Sequence, residues 1–228
     1  MNNNINFKGA EAIRVSTMFR RSNKFWNMYG YNSRASIGHL MKLINQMRPV
    51  SLEDWIYSYL DSGKEYERLL KAGAKVDPSD YGRSKYQLKQ IASDFHQDLL
   101  NNNFRIDYET TYQYVLIRVL YETWIGYSRE RHIFNVLKSF FNTYEVRHAD
   151  PIVDIEMAVD FEILKNGKLL LGIQAKGNNT SPTTLKLNQR KNKRYTSQYG
   201  AEVFYLVYNE GKIENLKELS KTIRRIKF

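Results

Sequence analysis

The chain has 228 residues, enough for one large domain or a core with a substantial appendage. Hydrophobic residues make up 42% and aromatics 14%, which excludes a disordered chain, and the lack of cysteine excludes disulfides, thiolate zinc sites and cysteine nucleophiles. Lys and Arg number 35 against 24 Asp and Glu, a net charge of +11 that favours a polyanionic partner, nucleic acid first among them.

Residues 1–106 read mostly as helices. The stretch EAIRVSTMFRRSNKFWNMYG has spaced apolar residues and stops near Gly30. In SIGHLMKLINQM (37–48), Ile37, Leu40, Met41 and Ile44 share a helical face, and Pro49 ends the helix. Ser51 is placed to cap SLEDWIYSYL, with Glu53 and Asp54 in the first turn where the helix dipole favours acids. A further helix spans 84–100 and breaks at Asn101-Asn102-Asn103. Residues 108–143 read as two consecutive helices bent near Gly126, the second capped by Ser128.

Beyond this point the period changes to two. The segments 144–149, 155–164, 168–176 and 202–209 read as strands. A basic helix over 184–200, ended by Gly200, lies between the last two, and a helix closes the chain. The order predicts an α/β sandwich around a mixed sheet flanked by helices, with a helical N-terminal region that serves dimerisation, DNA grip or both. The expected division is 1–106 for that region and 107–228 for the core. No apolar run resembles a signal peptide or reaches the length of a membrane span, so a cytoplasmic protein without membrane contact is expected.

The chemistry concentrates in VDFEILKNGKLLLGIQAKG (159–177). Two strands flank a turn at Asn166-Gly167, and side chains alternate between their faces. Asp160, Gln174 and Lys176 fall together on the face opposite the apolar one, and Gly172 leaves room beside them. A hard divalent cation such as Mg²⁺ takes oxygen ligands, which the Asp160 carboxylate, the Gln174 amide and the Ala175 carbonyl can supply. Lys176 can hold or activate a water beside the ion for phosphodiester hydrolysis. The alternative for the same residues is a solvated sheet face with an ordinary ion pair.

This stretch resembles the signature of the PD-(D/E)XK nuclease superfamily, with Asp160 as its first acid and Lys176 as its lysine. The resemblance covers about half the chain. It implies a restriction-endonuclease-like α/β core, Mg²⁺ dependence and catalytic roles for Asp160, Gln174 and Lys176. It also implies a supporting metal-binding acid, for which Glu130 stands in the first turn of the helix before the sheet, where the alternative is an acid favoured there by the helix dipole. Gln174 departs from the pattern, because Glu or Asp is usual there. Chain size and the helical first half are similar to type II restriction endonucleases. Such an enzyme would be a homodimer cutting double-stranded DNA at a short palindrome, within a restriction-modification system. Abundant Asn and Gln suit an A·T-rich site, since both pair well with adenine.

The run after Lys176 carries the expected DNA contacts. Asn178, Asn179 and Thr180 sit in a polar loop. Lys186, Arg190, Lys191, Lys193 and Arg194 follow without an acid among them and suit phosphates. Asn178, Asn179, Asn188 and Gln189 suit base edges. Three other functions fit the sequence: a DNA-binding relative without catalysis, a structure-selective nuclease such as a junction resolvase, and an RNA-directed protein.

Overall fold

The structure is a computed structural model that describes residues 5, 7, 9–14, 16–177, 180–209 and 211–226. The chain divides into two compact units within one helix, between Tyr127 and Ser128.

The first unit is helical. It holds α1 (Ala10–Arg14), α2 (Thr17–Met28), α3 (Arg34–Ile37), α4 (Leu40–Met47), α5 (Leu52–Lys71), α6 (Lys85–Asn101) and α7 (Tyr108–Leu116). Local chemistry sets their ends. Ser51 Oγ accepts from Asp54 N at 3.1 Å at the start of α5, and Ser84 with Gln87 forms a reciprocal capping box at the start of α6. Helix α7 runs into a π-helical turn (Ile117–Tyr121) and then α8 (Glu122–Phe140). The irregularity therefore sits at 117–121 and not near Gly126. Ser128 is inside α8 and caps nothing, with its hydroxyl buried and unpartnered. Residues 107–127 belong to this unit, because Tyr112, Val115, Val119 and Leu120 are buried in its core beside Trp26, Trp55 and Phe95.

Arg83 ties the segment after α5 in place. It is 3% exposed and donates to five carbonyl oxygens, those of Ala35, Ser36, Pro78, Tyr81 and Gly82, at 2.6–3.1 Å. Helix α5 and residues 82–84 meet backbone to backbone: a Cβ on Gly63 would lie 2.1 Å from Ser84 N. Arg83→Met strips several buried acceptors of their donor, at ~1–3 kcal/mol for each one left unmet. A loss of about 3 kcal/mol, or roughly 6–12 °C in Tm, is expected by calorimetry. A shift under about 2 °C would contradict this role.

The second unit holds a five-stranded mixed sheet: β1 (Glu145–His148), β2 (Phe161–Lys165), β3 (Lys168–Gly177), β4 (Glu202–Asn209) and the short β5 (Lys212–Ile213), in that order. Only β3 and β4 run parallel. Asn166 (φ 52°) and Gly167 (φ 75°) make the two-residue turn of the β2–β3 hairpin, the left-handed pair such a turn requires. Helices cover both faces. On one, Ile133 and Leu137 of α8, with Leu219 and Ile223 of α11 (Leu216–Arg225), pack on Phe161, Ile163, Leu171, Ile173 and Leu206. On the other, Tyr195 of α10 (Pro182–Tyr199) packs with Val159, Ala201 and Val203. The expected mixed α/β sheet flanked by helices is present, after a mostly helical N-terminal region.

One expected strand is corrected. Residues 151–157 form α9 (Pro151–Met157), so Ile155, Glu156 and Met157 are helical and β2 starts only at Phe161. Asp150 caps this helix through Ile152 N (2.8 Å), Pro151 stands at its first position, and Ala158 ends it at a left-handed φ of 56°. Val153 and Met157, four apart, are buried while Ile152 and Ile155 face solvent, which is a helical face and not a strand one. Among the described residues, no helix is long and apolar enough to cross a membrane.

Candidate active site

The hairpin brings Asp160 against the end of β3. Asp160 Oδ2 accepts a hydrogen bond from Ala175 N at 2.6 Å, and Asp160 N donates to Ile173 O at 2.8 Å. The carboxylate thus stands beside the Gln174–Ala175–Lys176 segment. Burial pushes its pKa up to about 6. Lys176 and the Ala175 amide pull it down, while the charges of Asp154 and Glu130 push it up.

Gln174 is 1% exposed, and its Oε1 is buried with no hydrogen-bond partner. Its face of β3 is the one turned to α10, because a Cβ on Gly172 would lie 2.8 Å from the Tyr195 ring and side chains two apart share a face. An unmet buried amide oxygen costs ~1–3 kcal/mol.

Glu130 lies in the body of α8, a full turn and more past its start, so its place is not that of an acid favoured by a helix N-terminus. Its Oε1 lies 3.3 Å from His148 Nδ1, and the His148 ring stacks on Phe134 with centroids 4.4 Å apart. Helix α9 adds Asp154, which the sequence pattern did not single out. Asp154 keeps contact with solvent, but surrounding protein raises its pKa, helped by Glu130 and opposed by Lys176, Lys191 and His148. An Asp-Pro start followed by apolar residues four apart was the signal that could have placed it on a helix facing the site.

Among the described residues, no group of three or more His, Asp or Glu side chains is gathered closely enough to hold a metal ion. The oxygen donors that neighbour the Asp160–Ala175 contact in sequence are instead the neutral Gln174 amide and the Ala175 backbone carbonyl. Mg²⁺ suits such a set, because it keeps several waters and uses one or two carboxylates. The orphaned Gln174 oxygen and the energetically costly Asp160 carboxylate are what a cation there would relieve, so the residues fit the group.

The expected DNA contacts divide. Asn178 and Asn179 lie outside the described residues. Thr180 folds back, its Oγ1 donating to Gly177 O at 2.8 Å. On α10, Leu185, Asn188, Asn192 and Tyr195 form the stripe turned toward the sheet, and Asn188 is buried there, which does not suit reading a base edge. Lys191 is half-buried and donates to Ile155 O at 2.7 Å, near the end of α9. Lys186, Gln189, Arg190, Lys193 and Arg194 are exposed. If those four cations meet phosphates, replacing all four with alanine flattens the plot of log K against log salt by roughly 0.9 per contact, about 3.6 in all. An unchanged slope would show that the run is only solvated.

Compared with models of known families, residues 22–220 match the one described as MjaI restriction endonuclease, a span that includes every candidate above. No curated protein and no solved structure matches the chain.

Proposed function

This chain belongs to the MjaI restriction endonuclease family and is a type II restriction endonuclease, and we propose on that premise that it hydrolyses both strands of double-stranded DNA at a short palindrome, with Mg²⁺ and as a cytoplasmic homodimer. The contact that carries the chemistry is the 2.6 Å hydrogen bond from Ala175 N to Asp160, which sets a carboxylate against the backbone next to Gln174, whose own side-chain oxygen is buried and unpartnered. Asp160, Gln174 Oε1 and the Ala175 carbonyl would hold the ion, with Glu130 and Asp154 supporting it. When bound, Mg²⁺ supplies charge stabilisation at the phosphate and lowers the cost of forming the attacking hydroxide.

The chain's own residues do the rest. Lys176 Nζ holds the attacking water and offsets the charge that gathers on the phosphate oxygens. The water releases a proton to bulk solvent as its oxygen bonds to phosphorus, the ester bond to the leaving deoxyribose oxygen breaks, and that oxygen takes a proton from solvent. Exposed cations on α10 grip the flanking phosphates and fix register, and Gln189 offers an amide to a base edge. The helical first unit contributes dimer contacts or further DNA grip. A palindromic site follows from two-fold protein symmetry acting on two-fold DNA.

The test is digestion of a sequenced genome, with the fragment ends read by sequencing. Discrete ends sharing one short palindrome, formed with Mg²⁺ and absent in EDTA, are expected. Ends scattered without common sequence, or cutting confined to branched junctions, would overturn the reading in favour of a non-specific or structure-selective nuclease. Binding without cutting at any divalent ion would leave only a DNA-binding relative.

A further inference from the structure

Lys176 also lines a cleft of about 330 Å³ at the carboxyl ends of the parallel pair β3 and β4. The crevice outside the carboxyl ends of parallel strands is where open α/β sheets receive ligands. The volume is at the lower end of the roughly 300–1,000 Å³ of small-molecule clefts, too small for a peptide or a second strand. We propose that this cleft receives one nucleobase turned out of the duplex beside the phosphate that is cut. The proposal rests on the reading that duplex DNA is bound at Lys176.

The lining suits a base in three ways. Tyr205 supplies an aromatic ring, and its hydroxyl donates to Asn192 Oδ1. Asn192 is itself anchored, donating to Met157 O at 2.9 Å and Ala158 O at 3.1 Å, so the ring is held rigidly as a stacking platform. Leu185 and Val207 give apolar walls. Gln189, one helical turn beyond Leu185, brings an amide with both a donor and an acceptor for a base edge, and Thr180 adds a hydroxyl oxygen. Among the described residues that line it, the single cation is Lys176, which the catalytic reading sets at the phosphate. A base attached to that phosphate's own nucleotide reaches a cleft on the protein side of it only by leaving the stack.

The test uses oligonucleotides carrying the mapped site, bound in Ca²⁺ so that they are held without turnover. In one series an abasic analogue replaces the pairing partner of each base in turn. In a second, 2-aminopurine replaces the bases near the cut. Unpairing is less costly where the partner is missing, so at one position next to the cut the parent should bind at least about tenfold tighter. The 2-aminopurine signal should change at that position on binding. Leu185→Trp, which fills the cleft, should abolish both effects. Gln189→Ala, an exposed substitution that does not threaten folding, should weaken the preference several-fold. If the parent cuts its site normally but no position shows tighter binding or a 2-aminopurine change, the cleft holds no base and the nuclease reading stands. If the preference persists unchanged in both variants, the base goes elsewhere and the proposal is equally overturned. If the parent neither binds nor cuts duplex DNA, the reading beneath it falls as well.

Discussion

Lys176→Ala lowers the single-turnover rate of DNA cleavage by roughly 10²–10³-fold, the usual worth of one positioned donor to developing charge, while duplex affinity measured in Ca²⁺ stays within about tenfold of the parent. The expectation rests on where the side chain sits. It is half-buried at the end of β3, its charge acts on both Asp160 and Asp154, and it also borders the cleft between β3, β4 and α10. A residue that only balanced two carboxylates would change stability and affinity, and its loss would spare the chemical step. A near-parental rate in Lys176→Ala would remove it from the mechanism.

Asp160→Asn abolishes cleavage and, in the metal-free protein at about pH 7.5, raises Tm. The two effects have one cause. The folded protein raises the Asp160 pKa to about 6 from an ordinary value near 4, chiefly by burial. The folded state therefore holds this proton more tightly than the unfolded chain does. Below about pH 4 the group is protonated in both states and carries no penalty. As pH rises from about 4 to about 6, stability is lost, and above that range the full cost of a crowded carboxylate remains. A shift of this size is at most ~3 kcal/mol and about 2 after allowing for the solvent contact that Asp160 keeps. The amide that replaces the carboxylate can still accept from Ala175 N but carries no charge. A gain of roughly 4–8 °C in Tm at about pH 7.5, vanishing near pH 4, is expected by calorimetry. Divalent ion should raise Tm in the parent and not in the variant. Cleavage surviving in Asp160→Asn would overturn the site, and a lower Tm at neutral pH would show that Asp160 serves the fold and not a ligand.

Much of this fold was legible because local signals agreed with tertiary demands. Ser51, Ser84 and Gly200 sit at helix ends as their chemistry dictates, and Asn166-Gly167 makes the turn that sets Asp160 against β3. The misreadings have physical causes. In 155–164, the alternation that is a true strand from Phe161 onward was read back into Ile155 and Met157, yet Val153 and Met157 bury one face of a helix that Asp150 and Pro151 begin. That error hid Asp154, which owes its place to a helix lying over the site. Gly126 looked like a break but has open space around it and is tolerated inside α8, while the π-helical turn at 117–121 leaves no compositional mark. Asn188 looked like a base reader because its polarity says nothing about which helix face it occupies. Its spacing from Leu185, Asn192 and Tyr195 does say so, and turns it inward. The unmet Gln174 oxygen could not be read from sequence at all, since it depends on what fails to surround it.

The most direct measurement is a crystal structure of the protein with its DNA and Ca²⁺, an ion that takes the same oxygen donors as Mg²⁺. Calcium bound by Asp160, Gln174 Oε1 and the Ala175 carbonyl is expected, with a phosphate oxygen completing the shell and Lys176 Nζ beside the attacking water. Calcium held elsewhere, or held by Asp160 with Gln174 turned away and the phosphate remote from Lys176, would contradict this assignment.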